Sequence, residues 1–210
     1  MSTIKVDTIA TRTGSGNITA SNTIAGNLTG NVTGNVTGNV TGNLTGNSTV
    51  GGTLGVTGLV TASAGVAIGG TGSANTLDDY EEGTWSAELR GASAQASTPV
   101  ISTTAKYTKV GNIVNVSVYF ANVNTSGASG TCQVTGLPFT CINQLFPMNV
   151  MTYGFDYDDS GGVMSIHMYV ENGTTAQLIA TKDNAAWQTH GIAPGTGKYF
   201  AMQGTYITDS

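Results

Sequence analysis

Residues 114–120 read Val-Asn-Val-Ser-Val-Tyr-Phe, so an apolar side chain stands at every second position. Successive side chains of a β-strand point to opposite faces, and this alternation places the three Val residues and Phe120 on one face. The opposite face carries Asn115, Ser117 and Tyr119, which suit a surface in contact with solvent. The stretch therefore predicts a half-buried strand of an antiparallel β-domain.

Other segments of the C-terminal part repeat this pattern between clusters of turn-forming residues. The candidate strands are Met164–Val170, Thr84–Leu89, Thr131–Val134, Asn149–Tyr153, Gln177–Thr181 and Tyr199–Ile207. Gly, Asn, Asp and Ser are concentrated between them, as expected of tight turns. A series of short strands joined by turns is typical of two-layer all-β folds. We therefore predict an all-β chain with a C-terminal β-sandwich or jelly-roll head.

Charge and aromatic residues divide the chain into two parts. Only 9% of the residues are charged, against about 25% in typical soluble proteins. The segment from Thr13 to Leu77 contains no charged residue and no His, and every aromatic residue lies at Tyr80 or beyond. Aromatic side chains supply much of the burial energy of a small core. Only the second part is therefore expected to form a conventional globular domain, with the join near residues 69–75.

The composition also argues against two classes of partner. The net charge is −5, with only 7 Lys and Arg residues in 210. Neutralising the phosphates of a nucleic acid requires clustered Lys and Arg, so no nucleic-acid binding is expected. No apolar run approaches the roughly 20 residues that span a bilayer, so no membrane insertion is expected.

A four-residue repeat occupies the charge-free part. Residues 26–49 read Gly-Asn-Leu-Thr, then Gly-Asn-Val-Thr three times, then Gly-Asn-Leu-Thr and Gly-Asn-Ser-Thr. In an extended chain this period places the Gly and the aliphatic residues on one face and Asn and Thr on the other. The positions predicted to form the core of a shaft are Leu28, Val32, Val36, Val40 and Leu44.

One copy of this repeat could not hold an extended shape alone. Ordering four residues costs about 4–8 kcal/mol of backbone entropy. Burying one Val or Leu returns only about 1.5–3 kcal/mol. We therefore expect the repeat to wind together with copies of itself, where Gly allows the backbones to approach closely. The alternative is a flexible low-complexity linker, which does not explain the strict spacing of Val and Leu.

Several segments resemble a known family. Residues 76–85, Thr-Leu-Asp-Asp-Tyr-Glu-Glu-Gly-Thr-Trp, resemble the segment that opens the distal domain of many bacteriophage tail-fibre proteins, especially those of aquatic phages. Residues 107–114 and 136–139 are similar to two further stretches of that domain, in the same order. Residues 2–9, together with 13–18, resemble the N-terminus of such virion proteins.

This resemblance implies a homotrimeric virion fibre in three parts. Residues 1–25 would attach to other virion tail or capsid proteins, residues 26–75 would form an intertwined β shaft, and residues 76–210 would form the head. The number three comes from the resemblance, because the repeat requires self-association without deciding how many chains take part. The protein would assemble in the host cytoplasm and reside in the virion. The chain is short for a tail fibre, so a small accessory or head fibre is also possible.

Two groups of residues are candidates for function. Aromatic rings beside carboxylates are the residue types that bind sugars, and the predicted receptor-binding residues are Tyr153, Asp156, Tyr157, Asp158 and Asp159. The alternative is that ordinary core aromatic residues stand beside a solvated acidic turn. A second group lies where the shaft meets the head, and its residues are Asp78, Asp79, Tyr80 and Trp85. We expect its carboxylates to cap the shaft through main-chain and inter-subunit hydrogen bonds.

No catalytic pattern emerges from the sequence. The two His residues are isolated from other metal ligands at zinc spacing, and no nucleophile motif surrounds a Ser or Cys. We therefore expect no enzyme activity, no metal site and no cofactor. The predicted function is host attachment, with the head binding a glycan or protein of the host surface, and a glycan is the favoured ligand. The alternative is a purely structural head fibre, adaptor or decoration protein without a receptor.

Overall fold

A computed structural model of the chain describes residues 49–70, 72–155 and 163–209. The chain divides into two units, Met1–Gly55 and Val56–Ser210. The described residues of the first unit, 49–55, contain no strand or helix. The predicted attachment segment 1–25 lies outside the described residues, as do the predicted shaft-core residues Leu28, Val32, Val36, Val40 and Leu44.

The regular secondary structure in the described part of the second unit is almost entirely β-strand. Its strands are β1 (Val66–Ala67), β2 (Thr76–Leu77), β3 (Tyr80–Gly91), β4 (Val100–Val110), β5 (Ile113–Val123), β6 (Cys132–Thr135), β7 (Phe146–Tyr153), β8 (Val163–Val170), β9 (Thr175–Lys182), β10 (Gln188–Thr189) and β11 (Lys198–Ile207). One turn of 3₁₀ helix, Ser73–Asn75, separates β1 from β2. Among the described residues, no helix is long and apolar enough to cross a membrane. The all-β prediction is confirmed.

Eight of these strands form one closed antiparallel barrel. The order around the barrel is β9, β6, β3, β4, β5, β11, β7 and β8, and β8 pairs again with β9. The short strand β10 pairs with β9, while β1 and β2 form a separate two-stranded ribbon. The predicted β-sandwich or jelly roll is therefore corrected to a barrel, because every barrel strand has two neighbours and the sheet of the described residues closes on itself.

Alternating side chains fill the barrel interior. The four apolar residues of the 114–120 stretch are all buried on β5, whereas Tyr119 between them is exposed. The largest side chains with almost no exposed surface are Tyr206, Phe200, Leu89, Met148, Met168, Leu178 and Met202. An eight-stranded barrel has an interior that side chains can fill completely, which explains why so few aromatic residues suffice.

The sequence pattern does not predict β4, which lies between β3 and β5. Its interior positions include Ala105 and Lys109 in place of large apolar side chains. The pairing of β4 with β3 also shifts register between Trp85 and Ala87, which disturbs the period of two. The alternation that reveals β5 is therefore absent from β4.

The antiparallel strands define two ends of the barrel. At the junction end, β3 begins, β4 turns directly into β5, and residues 136–145 connect β6 to β7. At the opposite end, which we call the loop end, residues 92–99, 124–131 and 183–197 form long connections. Strand β7 ends and strand β8 begins at this loop end.

Candidate functional site

Three of the predicted junction residues, Asp78, Asp79 and Tyr80, lie where β3 begins at the junction end of the barrel, whereas Trp85 lies midway along β3. Lys109 on β4 is only 3% exposed, and its ammonium group forms an ion pair with the Asp79 carboxylate. The ring of Phe139 lies 5.4 Å from the Lys109 Nζ atom. The backbone N–H of Gly111 also donates a hydrogen bond to the Asp79 carbonyl oxygen at 2.7 Å. Asp79 therefore neutralises a buried cation of its own chain.

The other junction residues have separate positions. Asp78 and Tyr80 are exposed, and the Tyr80 hydroxyl donates to Glu82 at 3.0 Å, which raises the pKa of Tyr80. Trp85 is buried, and its indole N–H donates to the carbonyl oxygen of Lys106 at 3.2 Å. Within the described residues, the contacts of Asp79 and Trp85 are therefore contacts of the head with itself.

Of the predicted receptor-binding residues, the structure describes Tyr153. This residue ends β7 at the loop end, and its side chain is 70% exposed. Its ring meets that of Tyr199 edge-on, with the centroids 5.7 Å apart. The other predicted residues, Asp156, Tyr157, Asp158 and Asp159, lie outside the described residues.

Tyr153 belongs to a groove on the outer surface of the barrel. This tyrosine groove has a volume of about 490 Å³ and is lined by Tyr119, Met151, Thr152, Tyr153, Tyr199 and Phe200. It crosses three neighbouring strands, β5, β11 and β7. Met151 is 71% exposed and Tyr119 is 56% exposed, so both side chains are available to a ligand.

Tyr199 and Ala201 lie on the outer face of β11, and Tyr199 lines this groove. Ala201 is paired with Tyr119 on one side and with Met151 on the other. Alternate residues share a face, so Tyr199 also points outward, two positions before Ala201. The methyl group of Ala201 is too small to fill the space between its large neighbours. A depression therefore remains beside Ala201, and it belongs to a second groove, which Ala201 lines.

A second groove of about 410 Å³ continues from the first and shares Tyr119 and Met151 with it. We call it the polar groove because its lining includes Thr104, Lys106, Ser117, Asn149 and Gln203. Paired positions arrange four of these side chains in one row across the sheet, in the order Lys106, Ser117, Gln203 and Asn149. The two grooves together offer aromatic surface at one end and hydrogen-bonding groups at the other.

This combination suits a sugar. Tyrosine rings offer flat apolar faces with a polar hydroxyl at the edge. The side-chain amides of Asn149 and Gln203 both donate and accept hydrogen bonds, as sugar hydroxyls require. The predicted pairing of aromatic rings with carboxylates stays a prediction, because Asp156, Asp158 and Asp159 lie outside the described residues. The polar groups that line the two grooves in the described residues are amides, hydroxyls and one ammonium group.

The sequence does not single out Tyr119 and Tyr199 as site residues. Tyr119 is visible only as an outward position of β5, and Tyr199 as the start of a candidate strand. A large aromatic residue at an outward-facing strand position is the signal that could have identified both, because such a side chain does not contribute to the core. Their proximity, with ring centroids 6.5 Å apart, depends on the pairing of β5 with β11.

The described residues provide little for other chemistry. Among residues 49–70, 72–155 and 163–209, no three His, Cys, Asp or Glu side chains cluster as metal ligands would. Both cysteines are buried free thiols, and burial raises the pKa of Cys132 to about 12. Burial also raises the pKa of Cys141, so neither thiol is activated as a nucleophile.

Comparison of the sequence with protein-family models and with curated protein sequences gives no match.

Proposed function

We propose that the chain is a homotrimeric virion fibre whose barrel head attaches to a glycan on the host cell surface. Residues 1–25 would join it to tail or capsid proteins of the particle. The observation that supports receptor binding is the exposed tyrosine groove, with the polar groove beside it. Of the predicted receptor-binding residues, Tyr153 lines the tyrosine groove, and the proposal adds the outer face of β5, β11 and β7.

Exposed aromatic side chains favour a binding role for this face. Tyr119, Met151 and Tyr153 leave large apolar surfaces in water, and clustered exposed apolar groups mark interaction sites on folded proteins. A shallow groove on one barrel would bind a sugar weakly. Three copies on one rigid fibre would gain avidity, because the second and third contacts become intramolecular.

A second observation supports self-association. The segment before the barrel exposes seven aliphatic side chains, namely Val50, Leu54, Val56, Leu59, Val60, Val66 and Ile68. Leu59 is 93% exposed. Burying each such side chain would stabilise an assembly by about 1.5–3 kcal/mol. We call residues 50–68 the aliphatic segment and propose that copies of it pack together as a continuation of the shaft.

The aliphatic segment also supports the second candidate function. A purely structural head fibre, adaptor or decoration protein needs self-association but no receptor. In that case the tyrosine groove would have no sugar ligand. The two candidates therefore differ in one measurable property of the assembled protein, which is glycan binding.

The test uses the full-length protein on an array of bacterial surface polysaccharides and oligosaccharides. We expect light scattering to give about three times the chain mass of 21.3 kDa and the array to give at least one bound glycan. Tyr153→Ala should weaken that binding about tenfold, because it removes the most exposed ring of the tyrosine groove. Tyr80→Ala is the matched control, since Tyr80 is also an exposed tyrosine but lies at the junction end, outside both grooves. A trimer that binds no glycan would favour the purely structural fibre.

A further inference from the structure

Lys106 gives the polar groove a charge. It lies on the outer face of β4 at one end of the polar row, opposite Ser117. The remaining members of the row, Gln203 and Asn149, are neutral. Of the residues that line the two grooves, Lys106 is the one with a charged side chain.

The ammonium group of Lys106 is available to a ligand. It forms no ion pair with any Asp or Glu of the described residues, whereas Lys109, its neighbour on the inner face, is paired with Asp79. The described lining of both grooves contains no carboxylate. In a chain of net charge −5, an exposed cation in a carboxylate-free groove forms a local site for an anion.

The sheet geometry places this cation beside the aromatic surface. Tyr119 follows Ser117 by two positions on β5 and shares its face, so the two Cα atoms are about 7 Å apart. Lys106 lies on the adjacent strand, about 5 Å from Ser117 across the ladder. A sugar ring stacked on Tyr119 would therefore hold its exocyclic groups near the Lys106 side chain.

We propose that the two grooves bind an acidic oligosaccharide, with the carboxylate of a uronic-acid-type sugar on Lys106. This inference rests on the proposed glycan-binding function and specifies its ligand. Tyr119 and Met151 contact the sugar rings, and the amides of Asn149 and Gln203 bind hydroxyl groups. The hydrogen bond from an ammonium group to a carboxylate is stronger than one between neutral groups, so the charge selects acidic over neutral sugars.

The test compares acidic polysaccharides with their own uncharged forms. The probes are polygalacturonate, alginate, hyaluronan and polysialic acid, each native and after reduction of its carboxyl groups to alcohols. Binding of full-length protein is measured by biolayer interferometry for the parent, Lys106→Gln, Lys106→Arg and Lys182→Gln. Lys182 on β9 is the matched control, because β9 contributes no residue to either groove.

We expect the parent to bind at least one native polymer ten or more times more tightly than its reduced form. Lys106→Gln should remove that preference, whereas Lys106→Arg and Lys182→Gln should keep it. Raising NaCl from 50 to 500 mM should weaken polysaccharide binding by the parent, because salt screens an exposed charge. The binding by Lys106→Gln should remain nearly unchanged. Equal thermal melting of the four proteins would show that the barrel is intact.

The possible failures separate the two proposals. Equal binding of native and reduced polymers, or unchanged binding by Lys106→Gln, would overturn the acidic ligand and leave glycan binding in place. Binding to neutral polysaccharides alone would have the same meaning. Binding to no native, reduced or neutral polysaccharide by the assembled protein would overturn both the acidic ligand and the proposed receptor function.

Discussion

The barrel interior and the aliphatic segment contain the same residue types but bury them to opposite extents. Val114, Val116 and Val134 have no exposed surface inside the barrel. Leu59 and Val60 in the aliphatic segment are exposed to 93% and 63%. The barrel strands find apolar partners within their own chain, whereas Leu59 and Val60 leave most of their surface in water. The comparison teaches that burial depends on a partner surface as much as on hydrophobicity.

The largest expected effect tests whether copies of the chain provide that missing partner. The double variant Leu59→Asp/Val60→Asp should be harmless in an isolated chain, where both side chains already contact water. In an intertwined fibre each chain would bury charges beside like charges, at a cost of about 3–5 kcal/mol per chain. We therefore expect the trimer mass to fall to 21.3 kDa in light scattering, with the melting of the barrel unchanged.

Val116→Asp is the reference variant for Leu59→Asp/Val60→Asp, because it places an Asp side chain at a buried position of the barrel. It should unfold the barrel, because an unpaired buried charge costs a large part of the 5–15 kcal/mol that stabilises a typical domain. Full assembly and parental heat resistance of Leu59→Asp/Val60→Asp would show that the aliphatic segment is not packed in a shaft.

A smaller loss of stability is expected when Asp79 is replaced at the junction end. This variant tests whether the stable barrel includes Asp79 or begins at Tyr80. Asp79→Ala should destabilise the head by about 2–3 kcal/mol, because it leaves Lys109 charged and buried. The loss is below the range for a fully buried pair because the Asp79 side chain is 45% exposed. The same test can be made on the head alone with two deletions. Deletion of residues 1–75 keeps Asp79, and deletion of residues 1–79 removes it. In urea unfolding, the second protein should have the lower free energy of unfolding, by the same amount.

The control for this prediction removes both charges. Lys109→Met/Asp79→Asn should be more stable than Asp79→Ala, since it buries no unpaired ion. If the two deletions had equal unfolding midpoints, the Asp79–Lys109 pair would contribute nothing, and the barrel would begin at Tyr80.

The smallest expected effect concerns Tyr206 and alkaline pH. The buried Tyr206 hydroxyl donates to the carbonyl oxygen of Phe139 at 2.9 Å and accepts from its N–H at 3.1 Å. Burial raises the pKa of Tyr206 from 10 to about 12, so the folded state favours the neutral phenol. Its contribution to stability is complete below pH 10 and is lost as pH rises from 10 to about 12.

The Tyr206→Phe variant should lose less stability than the parent as the pH rises above 10. At pH 8 it should cost about 1–2 kcal/mol, since the backbone groups of Phe139 lose their partner. In urea unfolding, the difference in the free energy of unfolding between the parent and Tyr206→Phe should become smaller from pH 8 to pH 11.5. Burial also raises the pKa of Cys132 to about 12. Both proteins should therefore lose some stability at alkaline pH through this thiol. If the difference in the free energy of unfolding stayed constant from pH 8 to pH 11.5, ionisation of the Tyr206 phenol would not account for the loss of stability.

Part of the barrel was predictable from local pattern. Every barrel strand except β4 overlaps a candidate segment of the sequence, namely β3, β5, β6, β7, β8, β9 and β11. The alternation is clearest on β5 and β8, because half-buried strands need apolar residues on one face only. β4 was not predictable in this way, since its buried positions include Ala105 and Lys109. The buried Lys109 becomes intelligible only when Asp79, thirty positions earlier, is seen to pair with it.

The candidate site shows the same division. Tyr153 was predicted as a sugar-contacting residue, and it lies in the tyrosine groove. Tyr119, Tyr199 and the polar row were not predicted. Their proximity depends on the pairing of β11 with β5 and β7, which a linear pattern does not contain.

The sequence by itself determined that the C-terminal part is β-structure and that its inner face is apolar. These properties follow from composition and from the two-residue period of a strand, which are local. Only the tertiary structure decided that β8 returns to β9, so that a barrel forms in place of a sandwich. It also decided that Ala201 lies between Tyr119 and Met151 and leaves a groove. Both depend on the register of strands distant in sequence, and register is set by the packing of the whole sheet.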